Sequence, residues 1–195
     1  MSSHRHFILH KPDGYLSQFV CDAKKKKLLG ELFTFPEGTM AIGRLDEDSE
    51  GLLLLTTNGQ LSEHIRSKKI SKEYYALVDG TATEDAIAQL RNGVEIGIRD
   101  KKYTTLPCEA KSLFADPGFA PRNKKIRDER HGPVSWVSIS LSEGKNRQIR
   151  KMTAAVGLPT LRLLRVRIGA LELGNLKSGE VREVTQTEIE HYFLP

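Results

Sequence analysis

A carboxylate set beside a guanidinium in a turn is a place where charge can do chemistry, and the run Gly43-Arg44-Leu45-Asp46 supplies one. It continues as Glu47-Asp48-Ser49-Glu50-Gly51 and then Leu52 to Leu55, so that four acids in five positions rim an apolar strand. Such a segment is poor core material and a good lip for a site. A half-buried carboxylate kept ionised by a nearby guanidinium is a competent nucleophile or base near neutral pH. The plain alternative for Asp46 is an acid-rich surface turn.

A second, distant segment offers cations with no acidic partner. Residues 144–170 hold Lys145, Arg147, Arg150, Lys151, Arg162, Arg165 and Arg167 and no Asp or Glu, an excess of +7 in one helix–strand unit. Phosphate contacts supply most of the sequence-independent affinity for nucleic acid, so this stripe, beside Arg122, Lys124, Lys125, Arg127 and Arg130, points to RNA or DNA. The competing reading is a solvated basic face. Tyr74 is either a core aromatic of its strand or a ring that stacks on a nucleobase. His6, His10, His64, His131 and His191 make no metal-ligand spacing and read as polar or RNA-facing residues.

The elements that must carry these residues follow from periodicity. His6 to His10 predicts a strand, stopped by the turn Lys11-Pro12-Asp13-Gly14. Leu52 to Thr57 predicts a buried strand, and Leu61 to Ser67 a short helix. Lys72 to Val78 alternates as a strand, with Tyr74, Ala76 and Val78 on one face. Thr83 opens a helix that Gly93 ends, and strands are expected at 103–114 and 134–141. The segment 115–132, rich in Pro, Gly and charge, is expected to be a mobile loop.

Asn146 to Val156 has helical period, with Arg147, Arg150 and Lys151 on one side and Ile149, Met152, Thr153 and Val156 on the other. Gly157 stops it. Residues 161–173 predict a strand with Arg165 and Arg167 on one face, and Thr185-Gln186-Thr187-Glu188 forms a capping box for a last helix. The fold class is α+β.

The 195 residues suit one domain, or two halves sharing a cleft. The 30 Lys and Arg against 25 Asp and Glu give +5, a moderate excess concentrated in the later basic segment. Cys21 and Cys108 form no CxxC and read as reduced structural thiols. No apolar run reaches the roughly 18 residues of a membrane span, and the first residues lack a signal-peptide core. A cytoplasmic monomer is expected.

Three segments in order resemble the RsuA/RluB-type RNA pseudouridine synthases: Gly43-Arg44-Leu45-Asp46 with Ser49-Glu50-Gly51-Leu52-Leu53; Lys72-Glu73-Tyr74; and Gly144-Lys145-Asn146-Arg147-Gln148-Ile149-Arg150-Lys151-Met152. Lys11-Pro12-Asp13-Gly14 is similar to the family's Lys-Pro-x-Gly turn, and 176–185 to its C-terminal Leu-x-x-Gly-x-x-Arg-x-x-Thr signature. The departures are small: His10 stands where Asn is frequent, and Glu73 where Thr is frequent. The resemblance spans nearly the whole chain and begins directly at the catalytic strand, without the N-terminal S4 module that members usually carry. It is greatest to the compact large-subunit members.

The resemblance implies a mixed, mostly antiparallel sheet with peripheral helices and a central catalytic cleft, in a single catalytic domain over 1–195. It implies conversion of a uridine of 23S ribosomal RNA, in a stem-loop, to pseudouridine, with no metal or cofactor. It makes Asp46 the catalytic acid, by attack at C1′, addition at C6 or removal of a ribose proton. Arg150 becomes its ion-pair partner, and Tyr74 the ring that stacks on the target base. Arg44 would fill the space left by the flipped base, with Lys145, Arg147, Lys151, Arg165 and Arg167 on the RNA. Two rivals remain: a non-catalytic RNA-binding protein of the same fold, and a metal-dependent phosphoesterase using Asp46, Glu47, Asp48 and Glu50.

Overall fold

The computed structural model describes residues 4–67, 70–122, 125–127 and 131–193. In chain order its elements begin with strands β1 (His6–Lys11), β2 (Met40–Ile42) and β3 (Glu50–Thr56), helix α1 (Gly59–Ser67) and strand β4 (Lys72–Asp79). Helix α2 (Glu84–Asn92) precedes strands β5 (Glu95–Ile98), β6 (Lys101–Thr104), β7 (Glu109–Leu113) and β8 (Val134–Leu141). Helix α3 (Gln148–Ala155), strands β9 (Thr160–Ile168), β10 (Leu171–Glu172) and β11 (Val181–Val184), and helix α4 (Gln186–Phe193) complete it. The chain divides into two compact units, residues 1–70 with 165–195 and residues 71–164.

In the first unit the strand order is β11-β1-β3-β9, with β2 along β3 and β10 along β9. β1 runs antiparallel to β3 from His6↔Thr56 to Lys11↔Gly51. Every residue of both strands is buried, which is why β3 reads as an unbroken apolar run rather than an alternating one. Phe7, Leu9, Leu29, Leu53 and Leu55 form a core to which Phe19, Leu32 and Phe35 add their rings and methyls.

Gly51 shows why this motif needs glycine. Its φ is +102°, and a Cβ there would lie 2.3 Å from the Arg165 carbonyl oxygen, backbone that cannot yield. His6 bridges Thr56 (2.9 Å) and Gln186 (2.7 Å) through its two ring nitrogens, and His10 Nδ1 donates to the Leu176 carbonyl at 2.8 Å. Both histidines are buried, so the RNA-facing reading of these two is corrected.

In the second unit the order is β9-β4-β8-β7, with β5 and β6 as a separate hairpin. Tyr74, Ala76 and Val78 do share a face, packed with Val137, Ile139, Ile87, Leu90, Ile149 and Met152. α2 and α3 cover that face because each turns an apolar stripe toward it. Thr83 caps α2 by accepting from the Ala86 amide at 3.3 Å.

Three expectations needed revision. The strand expected over 103–114 is two strands, β6 and β7: Pro107 lacks an N–H, and the Thr105 amide turns back to the Val94 carbonyl at 3.0 Å. The strand expected over 161–173 folds back at Gly169, φ +57°, so that Glu172 pairs with Arg167. In 115–132 the described residues form no α-helix or strand yet are tied down. Phe119 sits 6.2 Å from Tyr75 and 6.1 Å from Trp136, Arg122 donates to the Leu161 carbonyl, and Arg162 to that of Ala120. Arg127 pairs with Asp79; Lys124 and Arg130 lie outside the described residues.

Gly51→Ala is expected to lower unfolding free energy by more than about 2 kcal/mol, from strain at positive φ added to a backbone clash. A urea midpoint equal to that of the parent protein would refute this.

Candidate active site

In the first unit, residues 43–49 lead from β2 into β3, and backbone groups of Leu45, Asp46, Glu47 and Ser49 are hydrogen-bonded. The Ser17 hydroxyl donates to the Leu45 carbonyl and accepts from the Leu45 amide, both at 3.0 Å. The Asp46 carbonyl accepts from the Ser49 amide at 3.1 Å. The Glu47 carbonyl accepts from the Gly14 amide at 2.8 Å and from Lys11 Nζ at 3.3 Å. Asp46 is thus half-buried on a backbone clamped immediately before and after it, while Arg44 is exposed.

Lys11 is the group that sequence reading passed over as part of a turn. Its side chain is fully buried, and Nζ also donates to the carbonyls of Pro12 (2.8 Å) and Tyr15 (2.7 Å). One ammonium therefore ties residues 12–15 to residue 47. Burial pulls its pKa down to about 8, opposed by the negative charges of Asp13, Glu50, Asp48 and Glu47. The available signal was a lysine continuing an apolar strand straight into Pro12, with an acid cluster elsewhere in the chain.

The same unit holds Arg165 and Arg167. Arg165 is only 2 % exposed and its Nε donates to the Leu52 carbonyl at 2.8 Å. A guanidinium so enclosed holds β3 in place; its assignment to the RNA-binding surface is corrected on that ground. Arg167 is half-buried, with Nη1 donating to the Gly169 carbonyl at 2.9 Å.

In the second unit, the basic motif is organised by Gln148, only 4 % exposed. Its Nε2 donates to Glu143 at 2.5 Å, and its Oε1 accepts from the Lys145 amide at 2.9 Å. Glu143 in turn accepts from the Tyr103 hydroxyl at 2.6 Å and the Leu106 amide at 2.9 Å. That hydrogen bond, then burial, raises the Tyr103 pKa.

Arg147 adopts a left-handed conformation (φ 51°, ψ 34°) at the cap of α3, so the helix begins two residues later than its period suggests. Lys145 and Arg147 are exposed, with Lys145 Nζ 4.8 Å above the Tyr103 ring; Arg150 and Lys151 are half-buried. Arg150 Nη1 donates to the Thr160 carbonyl at 3.3 Å. Tyr74, opposite Ile139 on β4, packs against the core of this unit and is half-buried.

Among the described residues no group of three His, Cys, Asp or Glu side chains is placed to hold a metal ion. Glu47 pairs with Lys26 Nζ at 2.7 Å. Both cysteines are free; burial lifts the Cys108 thiol to about 11, whereas Cys21 is exposed rather than structural. Among the described residues no helix is long and apolar enough to cross a membrane.

Residues 5–155 match the RNA pseudouridylate synthase family. The ribosomal large subunit pseudouridine synthase E of Xanthomonas campestris pv. campestris is 40% identical over 177 residues, 90% of this chain and 92% of that protein. Its namesake in Vibrio vulnificus is 39% identical over 180 residues, 91% and 74% of the two. A crystal structure of a pseudouridylate synthase superposes with a TM-score of 0.76 at 29% identity, covering 97% of this chain and 74% of that one.

The Lys11 clamp makes a test by titration possible. Between pH 8 and 10.5 the unfolded chain holds a proton on residue 11 that the folded chain has lost, so unfolding free energy rises with pH through this group. Relative to Lys11→Met, the native protein is expected to gain up to about 3 kcal/mol across that interval. A pH-independent difference between the two proteins would show that Lys11 does not titrate this way.

Proposed function

Because the chain belongs to the RNA pseudouridine synthase family, isomerases that act on uridine in RNA, we propose that it converts a specific uridine of 23S ribosomal RNA to pseudouridine, with Asp46 as the catalytic residue. The reaction is balanced within the nucleoside. The bond from ribose C1′ to uracil N1 breaks, the base turns, C1′ joins C5, and the proton leaving C5 is matched by one taken up at N1. It requires a carboxylate, a stacking surface and cations, and neither electrons nor a nucleotide.

The observation that best supports Asp46 is its setting: a half-buried carboxylate on a turn whose neighbours Leu45 and Glu47 are each held twice by hydrogen bonds. A backbone fixed in advance positions a reacting group without ordering it at the moment of reaction. In the family resemblance Arg150 is the charged partner of this carboxylate in the reaction. Tyr74 stacks on the extruded uracil, whose unstacking costs a few kcal/mol, and Arg44 takes the vacated place in the RNA. Lys145, Arg147, Lys151 and Arg167 contact the RNA backbone. On this reading the enzyme is a cytoplasmic monomer with all of residues 1–195 in one catalytic domain.

Asp46→Asn is expected to cut pseudouridine formation at least about a thousandfold while RNA affinity stays within about twofold. Normal modification by the purified variant would remove Asp46 from the reaction. Mapping pseudouridines in ribosomal RNA from cells with and without the protein should show a lost site in 23S RNA. An identical map would overturn the substrate assignment.

A further inference from the structure

Residues 12–39 leave the first unit between β1 and β2 with only a 3-10 turn at Leu29–Glu31. A connection longer than about 15 residues without helix or strand is uncommon in a compact fold and is usually functional. This one is firmly built. Leu29 is fully buried, and Phe35 stacks edge-on to Phe7 at 5.5 Å and Phe19 at 5.3 Å. Its two arms are laced by the Leu16 amide to the Lys27 carbonyl at 2.9 Å and the Leu29 amide to the Gln18 carbonyl at 3.0 Å.

The lacing leaves an exposed tip, residues 20–27, that carries Lys24, Lys25, Lys26 and Lys27 against the one acid Asp22. Lys25 is left-handed at φ 64°, a conformation that costs a lysine energy and turns the tip sharply. Lys26 and Lys27 act as its stays. Lys26 Nζ pairs with Glu47 at 2.7 Å, and Lys27 Nζ lies 5.4 Å above the Tyr15 ring. Glu47 directly follows Asp46, so the tip is moored to the turn that carries the proposed catalytic acid. Lys24 and Lys25 are left exposed within two residue lengths of the mooring, about 8 Å of chain.

Four adjacent like charges repel one another, and holding them on a rigid support raises that cost unless a polyanion offsets it. A strand whose uridine reaches Asp46 passes the turn to which this tip is moored, bringing its phosphates toward these ammonium groups. We propose that the Lys24–Lys27 tip is a phosphate-binding clamp for the RNA strand flanking the target uridine, with Lys24 and Lys25 on the phosphates and Lys26 and Lys27 holding the tip. The proposal rests on the pseudouridine synthase reading. It reads no base identity and acts on binding rather than on the chemical step.

The test compares native protein, Lys24→Gln/Lys25→Gln, and Lys101→Gln/Lys102→Gln as an equal charge change on the exposed β6. The probe is a 23S ribosomal RNA transcript. Loss of two phosphate contacts is expected to reduce the slope of log affinity against log salt by about 1.4, with the β6 variant unchanged. At about 150 mM salt KM should rise at least about fivefold with kcat within about twofold. A slope and KM equal to those of the native protein, or equal losses in both variants, would overturn the clamp. Native protein that binds the transcript but forms no pseudouridine would instead sink the functional reading, and the binding slope would still decide the clamp.

Discussion

The most consequential contact in the first unit is a lysine ammonium with no access to water. Removing such a charge from solvent costs several kcal/mol unless it is fully hydrogen-bonded and compensated. Lys11 meets the first condition and part of the second: three carbonyls accept hydrogen bonds from its Nζ, and the negative charges of Asp13, Glu50, Asp48 and Glu47 offset part of the cost of burial. The acid-rich turn after Asp46 thereby acquires a structural reason. Its charges make the buried cation tolerable, and the cation fixes the turn.

The second unit solves an equivalent problem with a neutral group. Gln148 offers both donor and acceptor, so one buried amide can close the loop before α3 at the Lys145 amide and reach Glu143 at the same time. A charged residue there would have required a counter-charge amid a run of cations. The outcome is a left-handed Arg147 presented to solvent at the head of α3, where exposure matters, above an apolar stripe of Ile149 and Met152, where it does not.

Burial sorts the basic residues into different kinds of work. Arg165 lies against β3 where Gly51 lets two backbones nearly touch, and its guanidinium serves the Leu52 carbonyl. Arg162 serves the Ala120 carbonyl and helps seat the long connection beside Phe119. Lys145, Arg147, Lys24 and Lys25 are exposed, where a cation costs little. Net charge alone would have counted all of these equally.

Much of this was legible from the chain. Period placed β4, β8, α2 and the helical part of α3 because each buries a stripe whose spacing is set by its own geometry, and the three motifs in order identified the family. Local chemistry also marked the Thr83 and Thr185 caps. What it could not mark were outcomes that depend on residues far apart in sequence. Whether residue 11 ends a strand in solvent or under four acids, whether Arg165 faces water or the Leu52 carbonyl, and whether Leu161 to Leu173 continues or doubles back at Gly169 are decided by what packs alongside. Spacing along a chain specifies which side chains share a face; only the neighbours brought in by the fold specify what that face meets.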